Sequence, residues 1–462
     1  MKQILPILLL LTCLISIKSS AQTFTIGATT LESRVISQDL ENPWDLVWGP
    51  DDKIWFTTRK GYIMSVDPIS LEQDTIHFIS EIFVSTLENS GLHALGLHPN
   101  FPETPYLYTH YTYDTLSAKL VRWTYDEVSE TLVDSTHIIP SMPGARSHNG
   151  SRIEWDTDST FLLTTGDAYL FEIAQDTNTY NGKILRFMDD GSIPIDNPIQ
   201  DSPVYALGFR NPQGLTILPN GEIFTSEHGP NEDDEINHIL PARNYGWPDV
   251  LGYCDSTDEL AFCANYNVKE PLYTWTPTYA ICGMAWYDHP QIPELRESLL
   301  LTSLKAKRLL YLPLDLDNYS IDTFHVAAAD SFKRLRDVLV APNGNIYLAT
   351  SNHENFMPPM NPNDDKIIEL YNPNYVNGLN EFENEVKVLL YPNPATNELT
   401  LNGEFLTNGC IINISDISGK IYLNKKAQSS NAKINIESLK KGIYFVSIFN
   451  QKNKVVLKFI KN

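Results

Sequence analysis

Pro219–Glu227 reads PNGEIFTSE, and Asp234–Ile239 follows as DEINHI. The first segment is a Pro-Asn-Gly turn running into an alternating apolar strand. The second is another short strand of the same period. The pair recurs along the chain: PDDKIWFTT from Pro50 leads to GYIMSVDP at Gly61, and DTDSTFLLTTGD from Asp156 leads to GKILRF at Gly182. PNGNIYLATS from Pro342 leads to DKIIELY at Asp365, and a looser copy, HPNFPETPYLYTHYT, starts at His98. Period-two alternation between turn residues is a strand signal, and helical spacing is scarce here. Such units at blade-like intervals predict an all-β fold, a β-propeller. Five copies plus a degenerate region around Trp286 to Leu314 predict six blades. The rival reading is a pair of β-sandwiches.

The chain of 462 residues is long enough for more than one domain. Met1–Ala21 carries Lys2, an apolar run from Ile4 to Ile17, and Ser19-Ser20-Ala21. That pattern predicts a secretory signal peptide cleaved after Ala21, since the run is short for a membrane span. No other run approaches membrane length, so the expectation is an exported, soluble protein. The propeller then occupies 22–376. Composition shifts over a linker at 377–385, and 386–462 reads as a small C-terminal β-sandwich rich in Lys and Asn. A net charge of -23, from 57 acidic and 34 basic residues, argues against nucleic acid and anionic membranes as partners and suits divalent cations. Cys13 leaves with the signal. Cys254 and Cys263 share one loop, where an oxidising compartment would let them pair. Cys282 and Cys410 remain, and no Cys/His spacing suggests zinc.

The repeat at Pro219 sits inside a denser stretch, Phe209–Pro248: FRNPQGLTILPNGEIFTSEHGPNEDDEINHILPARNYGWP. Gly and Pro fix backbone shape, which matters when carbonyl oxygens must face a cation. Arg210 and Gln213 supply planar donors suited to carboxylates. Gly229-Pro230 directly precedes Asp233, Asp234 and Glu235. An acidic run is ordinarily a solvated face. So many special residues at such short spacing predict a built site instead.

With the propeller reading in place, residues 205–248 resemble the soluble glucose/sorbosone dehydrogenases, six-bladed propellers that use pyrroloquinoline quinone (PQQ). The likeness runs from Leu40 to Tyr371, through GLHALGLHPNF at Gly91, SHNGSRI at Ser147, TTGD at Thr164, SLK at Ser303 and KRLRDVLVAPNGN at Lys333. It implies that His148 is the base that takes a proton from a sugar hydroxyl, a task suited to a group titrating near working pH. It further implies that Asp167 orients that base. Arg210, Asn211 and Gln213 match the quinone-contacting loop, with Arg210 beside the oxygens where charge grows as hydride arrives. Lys305, Arg334 and Arg336 match the other basic contacts, and the spacing of the last two places them on one strand face. Gly229 and Pro230 match carbonyl ligands of a calcium ion. Asp234, Glu235 and Tyr245 match a second calcium site. Tyr273 and Trp275 match aromatic walls, against the ordinary reading of strand aromatics as core. One position departs: Asn89 stands where the family has glutamine, a methylene shorter at a sugar or quinone contact. The stretch from Tyr253 to Ile281 differs as well and leaves the substrate open.

The resemblance thus implies a secreted Ca2+- and PQQ-dependent enzyme that oxidises an aldose at the anomeric hydroxyl to the lactone, with an external electron acceptor. Two other readings stand beside it: a non-catalytic glycan- or protein-binding propeller, and a calcium-dependent sugar lactonase. The lactonase would need side-chain carboxylates on its axial cation, where Gly229-Pro230 offer carbonyls. The tail resembles the C-terminal sorting domain of the type IX secretion system. Tyr391-Pro392-Asn393-Pro394, Ile417 to Lys420 and Gly442-Ile443-Tyr444 carry that likeness. It implies export across the outer membrane, with the secretion machinery as partner and a secreted or cell-surface destination.

Overall fold

The computed structural model describes residues 22–85, 89–156, 158–352, 365–375, 388–403, 406, 410–416, 420–427, 429–449 and 454–462. The signal-peptide and linker segments lie outside them, as do residues 417–419 of the sorting motif. The chain divides into two compact units, Met1–Tyr375 and Val376–Asn462.

The first unit is built from antiparallel sheets that follow one another along the chain. Each opens on an innermost strand: Pro43–Trp48, Leu92–Leu97, Gly150–Trp155, Pro212–Ile217, Ile281–Tyr287 and Leu335–Val340. Each innermost strand packs against the next, and Leu335–Val340 returns to Pro43–Trp48. The result is a closed, propeller-like ring. Closure uses both ends of the unit. Thr29–Leu40 pairs with Asp365–Tyr371 in the sheet that starts at Leu335, with Val35 opposite Ile368.

The sequence repeat has a local cause. Its strands are the second strands of their sheets: Ile54–Thr58, Tyr106–Thr112, Thr160–Thr165, Ile223–Glu227 and Ile346–Thr350. Four of them begin from one turn, closed by paired backbone bonds such as Leu218 N to Glu222 O (2.8 Å) and Ala341 N to Asn345 O (2.9 Å). Its last residue is left-handed in every copy: Asp52, Ser159, Gly221 and Gly344. Asn-Gly and Asp-rich turns fit because those residues reach positive φ cheaply. The strands themselves are buried throughout, since a sheet lies on either face. Packing between sheets draws on clusters such as Leu218, Phe224, Ile236, Leu299 and Leu310.

All six innermost strands carry a bulge near the second residue, between Pro43 and Leu46, Leu92 and Ala94, Gly150 and Ile153, Pro212 and Gly214, Ile281 and Met284, and Leu335 and Asp337. A bulge re-aims side chains relative to strict alternation. Gly214 and Gly283 sit at two of them. A Cβ on Gly283 would fall 2.2 Å from the Asp337 carboxylate, so only glycine admits that approach.

The bulges gather a charged cluster below the strand starts. The Arg152 Nη1 donates to Asp45, and to Asp337 at 3.0 Å, while its Nε donates to the Gln213 carbonyl at 3.2 Å. Asp45 also accepts from Leu95 N, and Asp337 from Leu46 N. Glu154 lines the same pocket with Trp286 and Met284. Burial raises all three carboxyls, Glu154 to about 8, against which the Arg152 charge acts. A carboxyl held above its unfolded value contributes stability that is complete below about pH 4.5 and is lost as pH rises through about 8. Glu154→Gln removes that loss. Its melting temperature is therefore expected to gain on the parent progressively from pH 5 to pH 9, and a difference independent of pH would refute this.

The segment from Tyr253 to Ile281 corrects the sequence reading in one respect. Cys263 lies on an α-helix, Thr257–Tyr266, with a Ser256/Glu259 capping box, and not in a loop. Cys254 and Cys263 are disulfide-bonded across its start.

The second unit pairs Leu389–Tyr391, Glu398–Asn402 and Asn431–Asn435 in one sheet. Ile421–Lys426, Ile411–Asp416, Gly442–Phe449 and Lys454–Lys461 form another. Leu399, Leu401, Ile412, Ile434, Val446 and Phe459 make its core. No helix among the described residues is long and apolar enough to cross a membrane.

Candidate active site at the strand mouths

Several of the residues singled out by sequence lie at the starts of the innermost strands. His148 lies just before Gly150–Trp155, Arg210 and Asn211 just before Pro212–Ile217, and Arg334 just before Leu335–Val340. His148 adopts a left-handed backbone, φ 59°. The Thr-Gly-Asp loop holds it there. Ala168 N donates to the His148 carbonyl at 3.0 Å, and a Cβ on Gly166 would fall 2.1 Å from that same oxygen.

The His148 Nδ1 meets the Asp167 Oδ1 at 2.9 Å. The other Asp167 oxygen accepts from the Trp247 indole at 2.9 Å, and Tyr169 N donates to Oδ1 at 2.8 Å. Asp167 is fully buried. A carboxylate in that position accepts, so Nδ1 carries the hydrogen and Nε2 keeps its lone pair. The Tyr169 ring stacks on the imidazole at 4.0 Å between centroids. His148 is thus fixed in tautomer and plane.

Arg210 lies near Asp167, whose charge acts on it. Its Nη1 donates to the carbonyls of His228 (2.9 Å) and Gly229 (3.1 Å), and its guanidinium lies 5.5 Å from the Trp247 ring centroid. Burial lowers its pKa, while Asp167 and Glu227 act against that shift. Asn211 accepts from Gly150 N at 3.1 Å and so ties two neighbouring strand starts. Gln213 accepts from the Arg336 Nη1 at 2.9 Å, and Arg336, fully buried, lies 4.0 Å above the Trp44 ring. The Lys305 Nζ donates to Thr278 at 3.0 Å. Arg334 donates to the carbonyls of Ser351 and Leu304. The one-face argument for Arg334 and Arg336 does not apply. Arg334 precedes the strand and Arg336 sits in its bulge, where alternation breaks.

The acidic stretch divides. The Asp234 carboxylate accepts from Gly229 N (2.9 Å), Tyr279 N (2.7 Å) and Ile281 N (3.3 Å), so its oxygens shape the Gly-Pro turn. Burial nevertheless raises it to about 6. The Tyr245 hydroxyl donates to the His238 carbonyl and accepts from Leu240 N, so it is occupied within the protein. Glu235 accepts from Gly252 N and from Asn237. Gly229, Pro230, Glu235 and Tyr245 line one small pocket together with Glu227 and Arg210. Among the described residues no group of three or more His, Cys, Asp or Glu side chains is arranged to hold a metal.

Tyr273 and Trp275 pair across the sheet with Ile236 and Asp234. They form the outer strand of their sheet, and their rings contact each other, Tyr279 and Phe324. Trp275 is core, packed with Leu218, Ile236 and Leu299. The aromatic faces beside the polar groups are instead Trp44, Tyr169 and Trp247. Only Trp247 had a sequence signal, the Gly-Trp-Pro corner. The Asn89 carbonyl bonds the His93 ring at 2.7 Å, and its Oδ1 is buried without a partner among the described residues.

Residues 40–357 match the Glucose / Sorbosone dehydrogenase family. The chain belongs to that family. This dehydrogenase family member is therefore an oxidoreductase. It is 31% identical over 404 residues to quinoprotein glucose dehydrogenase B of Acinetobacter calcoaceticus, covering 68% of this chain and 84% of that protein. It is 26% identical to the aldose sugar dehydrogenase YliI of Escherichia coli, covering 70% and 90%. The PQQ-bound aldose sugar dehydrogenase of Streptomyces coelicolor superposes with a TM-score of 0.63 at 27% identity, covering 74% of this chain and 98% of that one. Residues 389–462 match the secretion system C-terminal sorting domain.

Proposed function

We propose that the protein is a secreted, Ca2+- and PQQ-dependent dehydrogenase that oxidises an aldose at its anomeric hydroxyl to the lactone. The single observation that carries this reading is the His148–Asp167 hydrogen bond, with Arg210 near enough to Asp167 for the two charges to act on each other. The six sheets are then the blades of a propeller, and the C-terminal sheets a small sandwich that sorts the exported chain to the type IX machinery.

The residues present fit an anionic planar cofactor. Arg210 Nε, His228 Nε2 and Asn89 Oδ1 are buried polar atoms without partners among the described residues, which folded proteins rarely leave unless a ligand or water completes them. Arg210, Asn211, Gln213, Lys305, Arg334 and Arg336 would hold PQQ, with cations matching its carboxylates. The pocket at Gly229 and Pro230 holds about 10 Å3, room for one ion. Glu227 and Glu235 are cross-strand neighbours there, and like charges so placed cost stability unless a cation joins them. When bound, PQQ supplies the hydride acceptor and calcium a Lewis acid.

The chain's own part is positional. The His148 Nε2 takes the proton of the sugar hydroxyl, and the Asp167 carboxylate stabilises the imidazolium that results. Arg210 offers positive charge where negative charge grows. An external acceptor completes the cycle. The test is reconstitution: PQQ and Ca2+ added to apo-protein should allow a dye to be reduced by at least one aldose in a panel. Bound PQQ with no turnover of any aldose would sink the dehydrogenase reading.

A further inference from the structure

Lys183 opens the Lys183–Met188 strand, opposite Thr165 of the strand that leads into the Thr-Gly-Asp loop. Its side chain is fully buried, yet its partners are not carboxylates. The Nζ donates to three main-chain carbonyls: Ile173 at 2.8 Å, Ala174 at 3.0 Å and Asn181 at 2.7 Å. An ammonium has three hydrogens, so each is spent. Burying a cation is costly, and burial pulls this one down to about 7, with the Asp176 charge acting against that shift. An apolar residue would fill the space on the strand at no such cost. The use of the ammonium therefore lies in what the three carbonyls hold.

Two of them belong to one short helical turn, Phe171–Ala174, whose closing carbonyls carry partial negative charge and attract a cation. That turn lies between the two groups that hold Asp167. Before it, Tyr169 N donates to the Asp167 Oδ1 at 2.8 Å, and the Tyr169 ring stacks on His148. After it, the Gln175 Nε2 donates to the Trp247 carbonyl at 2.6 Å, and the Trp247 indole donates to the Asp167 Oδ2 at 2.9 Å. Within it, Phe171 meets the Trp247 ring edge-on at 5.4 Å between centroids. The strand end that carries Lys183 is fixed at the same place, since Gly182 N donates to the Gly166 carbonyl at 3.0 Å. We propose that Lys183 is a positioning residue for the base: its ammonium pins the Phe171–Ala174 turn, which through Tyr169 and Trp247 keeps the Asp167 carboxylate on the His148 Nδ1. The inference rests on the proposed dehydrogenase reading, in which His148 takes the proton.

Lys183→Met keeps an apolar stem of similar length and removes the donors. Two readings are taken. In Ca2+-loaded apo-protein the proton on the His148 Nδ1 is followed in 15N-histidine spectra. With PQQ saturating, reduction of the bound quinone by an aldose is followed against sugar concentration. The variant is expected to lose or broaden the Nδ1–H resonance. Its maximal reduction rate should fall about 10²-fold, the cost of a misplacement of about 1 Å, while PQQ affinity and half-saturating sugar change less than about threefold. An unchanged resonance or an unchanged rate overturns the proposal. So does a loss of PQQ affinity as large as the loss of rate, because that marks a general loosening of the site. Lys183→Gln keeps an N–H donor at shorter reach and should fall between the parent and the methionine variant. It is read by the same criteria should the methionine variant not fold. A parent that oxidises no aldose sinks the functional reading, and the resonance then still tests whether Lys183 holds the His148–Asp167 pair. An active parent with an indifferent variant removes this inference alone.

Discussion

His148→Gln is expected to lower kcat by roughly 10³-fold, within the range that a positioned general base contributes, while PQQ affinity changes by less than about threefold. Glutamine can occupy the space and hold a hydrogen bond to Asp167, but it offers no nitrogen able to take a proton at neutral pH. The ring is bonded to Asp167 and stacked on Tyr169, so its replacement is expected to leave the cofactor's basic contacts in place. Stopped-flow reduction of the bound quinone by sugar separates this step from dye reoxidation. Retained reduction would remove His148 from its role. Lost PQQ binding would show that it holds the cofactor rather than the proton.

Arg152→Leu is expected to destabilise the propeller unit by about 3–5 kcal/mol, the cost of leaving buried charges without their partner. Asp45 and Asp337 both lose their cation, and both lie in the interior. Because burial already raises those carboxyls, they can escape part of the cost by protonation. The loss should therefore be larger at pH 8 than at pH 5.5, and Asp337→Asn in the same background should recover part of it. Denaturant unfolding at the two pH values measures this. Weaker PQQ binding is expected to accompany it, since Arg152 also holds the Gln213 carbonyl and the Gln213 side chain receives Arg336. A stability change below about 1 kcal/mol at pH 8 would mean that the axial carboxyls are already neutral.

Much of the site was legible because motif residues carry their chemistry locally. Arg210, Asn211 and Gln213 lie within four residues at one strand start, and Gly229-Pro230 in one turn. Asp167 follows a strand whose end its own turn defines. Reading failed where long-range packing decides. Trp275 alternates like any strand aromatic, and only the neighbouring sheet shows that it is core. Asp234 looks like a ligand in an acidic run, but the N–H groups of Tyr279 and Ile281, far along the chain, occupy its oxygens. Trp44 carries no local mark at all. It becomes a floor only because the last innermost strand returns beside the first.

The sequence by itself determined the repeat, the all-β character and the order of the sheets. Those follow from period-two alternation and from turn residues that reach positive φ, both of which act within a few positions. Only the tertiary structure decided what lies at the centre. The shared bulge in the innermost strands turns extra side chains inward, and ring closure brings residues as distant as Asp45, Arg152, Gln213 and Asp337 together. No local preference encodes that meeting. It arises because the sheets close into a ring, which sets each innermost strand beside the next.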